Sequence, residues 1–255
     1  MSLERLVPGT EGWDRYHADH VQRYNFFASR YSGKTVLDMA CGAGYGSNLI
    51  ASHGASKVTG IDIAPEAVSF AKQNYKDSRL EFLQMDFREI EKSNKNFDLV
   101  ISFETIEHVA DPAEFLRVAA SVLKPGGKCI VSTPNKKKSS DAGLVNPFHL
   151  SELYYEDFKK IFSTHFSIDS EYHQTESVNY RRWQYLKWQL DSVKTNFDRL
   201  PFNAFKRFVK NLVGKDPVPP EFADISYAHP EDFVLEPMSV YNDRYSVIIL
   251  EGTRR

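Results

Sequence analysis

The sequence predicts an α/β fold built on a doubly wound, mostly parallel sheet, and three observations lead there. Short apolar runs bounded by turn residues alternate with amphipathic segments from about residue 34 to residue 165, the rhythm of strands joined by crossover helices. The runs "KTVLDMA" and "FDLVISF" are apolar almost throughout, as expected of strands covered by helices on both faces. The closing run "RYSVIILEG" suits an antiparallel last strand, and an insertion at 174–243 precedes it.

Taken in order, Trp13 to Tyr31 carries apolar and aromatic residues at helical spacing and is expected to form an amphipathic leading helix. "KTVLDMA" is the first strand, and "CGAGYGSNLIASHG" a glycine turn opening a helix that stops at Gly54. "KVTGIDI" is the second strand, "PEAVSFAKQNY" a helix with Pro65 in its first position, and "LEFLQMD" the third strand. "FDLVISF" is the fourth. Asp111 is expected to cap the next helix, with Pro112 at its first position and Glu114 completing a capping box. "PGG" then turns the chain into a fifth strand, "KCIVSTP". "SELYYEDFKKIFSTH" reads as a helix capped by Ser151, followed by a sixth strand near "FSIDSEYH".

With 255 residues, 42% of them hydrophobic, the chain is long enough for one domain spanning 1–255 with 174–243 as an inserted helical lid or substrate subdomain. A net charge of −2 exerts no global pull toward nucleic acid. The insertion is locally basic: residues 178–215 hold nine Lys or Arg against two Asp, together with Trp183 and Trp188. Such a segment is a solvated lid packed by its aromatics, or a surface for an anionic or lipid-linked substrate. Two cysteines in apolar strands, no signal-type leader and no bilayer-length apolar segment give the expectation of a cytoplasmic protein without a disulfide framework.

The glycine turn carries chemistry. In "VLDMACGAGYG", small residues where a strand becomes a helix let a ligand approach the backbone closely. Asp38 precedes the glycines, and the spacing Gly42, Gly44, Gly46 differs from the dinucleotide pattern. Further acids close the next two strands, Asp62 in "GIDI" and Asp86 in "QMDF". An acid after the second strand can accept ribose hydroxyls, and one after the third an exocyclic adenine amine. With the "LKPGG" turn, this set resembles the class I S-adenosylmethionine-dependent methyltransferases of Rossmann-like fold, over residues 15–173 and the last strand. The resemblance implies S-adenosylmethionine as cofactor. It implies Gly42 and Gly44 at the methionine moiety beside Asp38 and Ala40, and Asp62 with Ile63 at the ribose. Asp86 with Phe87 would border the adenine and Phe103 the sulfonium. His20, Arg23 and Tyr24 on the leading helix would be candidate contacts to the cofactor carboxylate.

Directly after the fourth strand stands "ETIEHV", which would put Glu104, Glu107 and His108 on one face of a helix. Methyl transfer needs an acceptor lone pair in line with the methyl carbon, and a hydroxyl acceptor also needs a base or a Lewis acid. The Glu-x-x-Glu-His pattern resembles the metal motif of ubiquinone-pathway O-methyltransferases and of small-RNA 3′-terminal 2′-O-methyltransferases. The latter add a histidine after the fifth strand, where this chain has His149. The resemblance implies Glu104, Glu107, His108 and His149 as ligands of a divalent metal, Mg or Mn. A metal-free acceptor pocket is the competing expectation, and in both His108 or His149 is the candidate base, assisted by Glu107.

The stretch "STPNKKKSSDAGLVNPFHLSEL" resembles methyltransferases of bacterial surface-polysaccharide assembly, which implies a sugar hydroxyl or phosphate as acceptor. A catechol such as a quinone precursor is the alternative; RNA termini rank third, without a broad basic stripe to hold an extended strand. Two other readings stay open at this point: an idle cofactor-binding module that recruits a partner, and a dehydrogenase. The expected partner is a small molecule or glycan, with peripheral membrane contact admitted and no oligomeric state implied.

Overall fold

The computed structural model describes residues 7–8, 11–143, 146–176, 233–238 and 247–255. The helical part of the proposed lid, with Trp183 and Trp188, lies outside the described residues. One eight-stranded sheet organises the rest, in the order β3-β2-β1-β4-β5-β8-β6-β7. Its strands are β1 (Thr35–Met39), β2 (Lys57–Asp62), β3 (Leu80–Gln84), β4 (Phe97–Phe103), β5 (Leu123–Pro134), β6 (Phe166–Glu176), β7 (Phe233–Pro237) and β8 (Val247–Arg254). The first five pair in parallel, and β8 enters antiparallel between β5 and β6. The mostly parallel sheet with an antiparallel last strand is therefore as expected, and the fold is Rossmann-like.

The helices are α1 (Glu11–Phe26), α2 (Tyr45–Ser52), α3 (Pro65–Asn74), α4 (Pro112–Ser121) and α5 (Tyr155–Phe162). Alternate residues of each central strand supply opposite cores. Leu37, Met39 and Val100 join Phe115, Phe158 and Phe162 on one face. Val36, Leu99 and Ile101 join Tyr24, Phe27 and Ile50 on the other. Each fully buried Leu, Ile or Phe side chain contributes about 1.5–3 kcal/mol, which is why these runs are strands before any propensity is considered.

Several local expectations are corrected. The leading helix ends at Phe26 and gives way to a 3₁₀ turn at Ala28–Arg30. Asp111 caps α4, accepting the N–H groups of Ala113 and Glu114 at 3.0 Å each. Glu114 completes no capping box, because its carboxylate accepts Arg88 Nε at 2.8 Å. The box forms instead at Asp86 and Glu89. Ser151 caps nothing: α5 starts at Tyr155, and the Ser151 hydroxyl donates to the carbonyls of Ile106 and Val109. The insertion is also not wholly helical, since its ends extend β6 to Glu176 and form β7, paired antiparallel.

Candidate active site

At the carboxyl ends of β1 to β4 lies a cavity of about 640 Å³, the position where open α/β sheets bind ligands. Its wall follows the strand order: Asp86 and Phe87 beyond β3, Asp62 and Ile63 around the end of β2, Ala40 and Gly42 beyond β1, Glu104 and Thr105 beyond β4. The residues expected at the cofactor divide by position. Gly42 takes φ +53°, and a Cβ there would meet only open space. Gly44 takes φ +83°, but a Cβ would lie 2.6 Å from Ala71 Cβ and 2.9 Å from the Phe82 ring. It seats the turn against α3 and β3 and is not part of the cavity wall.

Asp62 is held by two backbone donors, Gly42 N–H and Ala64 N–H, both at 2.9 Å. Its buried carboxylate thus fastens the glycine turn to β2 and still borders the cavity. Asp38 lies behind the wall: it accepts Ser47 Oγ at 2.6 Å and Tyr24 Oη at 3.3 Å, and burial raises its carboxyl to about 6. Phe103 also points into the core, packed on Tyr24 and Phe27 with centroids 4.9 and 6.1 Å away. Asp86 caps the turn Phe87–Ser93, and the Arg88 guanidinium lies 4.4 Å from the centroid of the Phe87 ring. On α1, Arg23 is fully buried and bonds Asp19 and Gln174 rather than the cavity. Tyr24 is likewise buried, its hydroxyl on Asp38, and burial and the charge of Arg23 together lower the pKa of His20.

Across the cavity, "ETIEHV" does not form the expected helical face. Glu104 adopts a left-handed φ of +52°, and only Ile106–His108 make a 3₁₀ turn. The structure accordingly gathers Glu107, His108 and His149, whose ligand atoms all lie within 4.8 Å of one another, and leaves Glu104 out of that group. Glu104 instead accepts the Ser132 hydroxyl at 2.7 Å. His108 and His149 meet edge to face at 4.8 Å between centroids. His108 Nδ1 lies 3.0 Å from Phe148 O, which can only accept, so Nδ1 carries the proton. Its Nε2 lies 3.8 Å from Glu107 Oε1.

Two carboxylates shape this cluster. Glu107 is 1% exposed; Oε2 accepts Thr133 Oγ1 at 3.1 Å, while Oε1 is buried without a hydrogen-bond partner. Burial, and then the charge of Glu104, push its pKa well up. Glu152 was not anticipated from the sequence. It accepts His149 Nδ1–H at 2.5 Å and also Ser139 Oγ at 2.8 Å. Burial alone would raise its pKa, but the bonds from Ser140, His149 and Ser139 prevail and hold it at about 2. An ionised carboxylate fixes the tautomer, so His149 turns the Nε2 lone pair toward the Asn146 amide, which donates at 3.0 Å. The signal available in the sequence was the His-x-x-Glu spacing of "HLSE". The loop is fastened to the "ETIEHV" turn by Leu150 N–H and Ser151 N–H, both donating to Glu107 O.

A parallel sheet whose strand ends cradle a nucleoside-sized cavity, opposed by two imidazoles and a buried carboxyl group, defines a group-transfer α/β protein that takes a nucleoside cofactor. The chain belongs to the methyltransferase domain family, whose model matches residues 31–192. It is 34% identical over 166 residues to a probable S-adenosylmethionine-dependent methyltransferase of Mycolicibacterium smegmatis, covering 64% of this chain and 63% of that protein. It is 36% identical over 159 residues to a ubiquinone biosynthesis O-methyltransferase of Xanthomonas euvesicatoria, covering 56% and 65%. These matches thus span under two thirds of either relative. Among solved structures, a putative methyltransferase in complex with the Haloferax volcanii Trm112 activator shares the fold, with a TM-score of 0.59, 17% identity, and coverage of 96% and 94%. The family and the relatives' names imply S-adenosylmethionine as cofactor. Among the described residues no helix is long and apolar enough to cross a membrane.

Proposed function

We propose that the chain is an S-adenosylmethionine-dependent O-methyltransferase whose acceptor hydroxyl is bound beside Glu107, His108 and His149. One observation carries this: a single cavity runs from the ribose-type acid Asp62 and the open backbone of Gly42 to His108 in the Glu107–His108–His149 cluster. The fit to the donor rests on Gly42, where a Cβ would intrude on the cavity, and on Asp62, pinned to face it. When bound, the donor supplies an electrophilic methyl group on a sulfonium. The chain's part is to hold it at the strand ends and to bring an oxygen in line.

His149 is equipped to take the acceptor proton. Glu152 holds Nδ1–H, leaving Nε2 as the basic atom, and the negative carboxylate stabilises the imidazolium that forms. The same cluster fits a divalent cation, because Glu107 Oε1 is a buried oxygen without a partner and two imidazoles stand within reach. Glu107, His108 and His149 would hold the ion, and Mg or Mn there would lower the pKa of an acceptor hydroxyl. Glu104 is not among these ligands. The segment 174–243 is proposed as the acceptor-side subdomain of a single domain.

Two acceptor classes offer a hydroxyl beside a second oxygen. The sugar hydroxyl is suggested by the loop between Ser132 and Leu153. The catechol is favoured by the named ubiquinone-pathway relative and by the cavity lip, where Phe148 and Leu150 are 45% and 66% exposed. Apolar lips suit a flat aromatic acceptor better than a polyol, so we place the catechol first. The test is transfer of labelled methyl from S-adenosylmethionine to catechols, to polysaccharide fragments and to RNA ends, each with and without chelator. Label on a catechol oxygen is expected; label on none of the three would reject the reading, and chelator-insensitive turnover would remove the cation.

A further inference from the structure

Glu104 is left over from the acceptor cluster, yet its conformation is the least explained in the site. It is one of three described non-glycine residues at positive φ, a strain that persists only where surrounding structure enforces it. The enforcement is visible. Glu104 N–H donates to Ser132 Oγ at 3.1 Å, and the Ser132 hydroxyl donates to Glu104 Oε1 at 2.7 Å. Ser132 itself is fully buried, so backbone and carboxylate are clamped through one oxygen against the cavity.

Position assigns the ligand group. Neighbouring strands lie about 4.8 Å apart, so a ligand with its base at Asp86 beyond β3 and its ribose at Asp62 on β2 continues past Gly42 to β4. There its far end reaches Glu104. For a nucleoside donor ending in an amino acid, that end carries one positive and one negative charge. The wall offers one of each: Glu104, and behind it Arg23, fully buried, its Nε without a hydrogen-bond partner and its charge acting on Glu104.

We propose that Glu104 receives the α-ammonium group of the donor's amino-acid end, with Arg23 as the fixed countercharge, and that Glu104 is not a metal ligand. The inference rests on the donor reading of the cavity, and the test separates the two. Calorimetry compares S-adenosylhomocysteine with 5′-methylthioadenosine, which keeps base, ribose and sulfur but lacks the amino-acid end. Glu104→Gln is expected to weaken the first by about 10- to 100-fold, the worth of a hydrogen bond between charged groups. Binding of 5′-methylthioadenosine should stay within about twofold of the unsubstituted protein, and Mn²⁺ affinity, read by electron paramagnetic resonance, should be unchanged. Asp62→Asn should weaken both nucleosides. Ser132→Ala keeps the charge but releases the clamp, and should lower the S-adenosylhomocysteine affinity alone, by a smaller factor; it stands in should Glu104→Gln fail to fold. An unchanged ratio of the two affinities in either variant, or a fall in Mn²⁺ affinity in Glu104→Gln, overturns the assignment. Failure of the unsubstituted protein to bind either nucleoside overturns the donor reading and the assignment with it.

Discussion

The two glycines of the turn separate stability from cofactor binding. Alanine at Gly44 would hold an L side chain at φ +83° and drive a Cβ to 2.6 Å from Ala71 and 2.9 Å from the Phe82 ring. The left-handed conformation costs about 1–2 kcal/mol and the overpacking a further 1–3 kcal/mol or so. Gly44→Ala is therefore expected to lose roughly 2–5 kcal/mol, a large part of the 5–15 kcal/mol typical of a domain. At Gly42 the angle is +53° and no atom lies within 4 Å, so only the conformational cost applies, about 1–2 kcal/mol. Its Cβ would occupy space on the cavity wall, and S-adenosylhomocysteine affinity should fall at least about tenfold. Urea titrations give the stabilities and calorimetry the affinities. Equal destabilisation by the two alanines, or unaltered ligand affinity in Gly42→Ala, would refute the division of labour drawn from the geometry.

Other expectations follow from the same contacts. His149→Ala and His108→Ala should each lower methyl transfer by about 100-fold or more while S-adenosylhomocysteine binds as before; loss of ligand binding would contradict their acceptor-side placement. Burial sets Asp38 near pH 6, above its unfolded value. The native state thus holds this proton longer than the unfolded state, and stability from this group falls by about 3 kcal/mol as pH rises from 4 to 7. Asp38→Asn should flatten that slope in urea titrations at several pH values. Asp98 behaves oppositely. Burial would raise it, but Lys124 and Thr35 prevail and hold it at about 2, so its stabilisation is full above pH 4 and fades as pH falls toward 2. Asp98→Asn should cost about 1–2 kcal/mol at pH 7 and nothing at pH 2.

What the sequence showed plainly was what short-range chemistry decides. Continuous apolar runs located the parallel strands, Pro65 and Asp111–Pro112 located helix starts, and the acid-and-glycine pattern located the cavity. Periodicity cannot say which way a side chain turns once the chain leaves its strand. Phe103 faces α1 because Tyr24 and Phe27 offer it a core site, and Asp38 faces Ser47 because β1 ends with its carboxyl pointing behind the turn. Ser151 resembled a cap by spacing alone, while two carbonyls of the "ETIEHV" turn, far away in sequence, compete for its hydroxyl. β7 was invisible for a related reason: five residues pair with β6 only because the chain returns to it after a long excursion.

The spacing of "ETIEHV" named residues that the site uses, though by a mechanism other than helical periodicity. On a helix, Glu104 and Glu107 would point the same way and burden one cation site with two carboxylates and two imidazoles. The reversal at Glu104 breaks that alignment. Its carboxylate turns to Ser132 while Glu107 turns to Thr133, the next residue on β5, whose side chain faces the opposite side of the sheet. Alternation along one strand thus separates two acids only three residues apart in the chain. Glu107 remains in the buried group with His108 and His149, and Glu104 is set against the charge of Arg23 on α1. The strain at φ +52°, about 1–3 kcal/mol for a non-glycine residue, is the cost of giving one short turn two electrostatic environments.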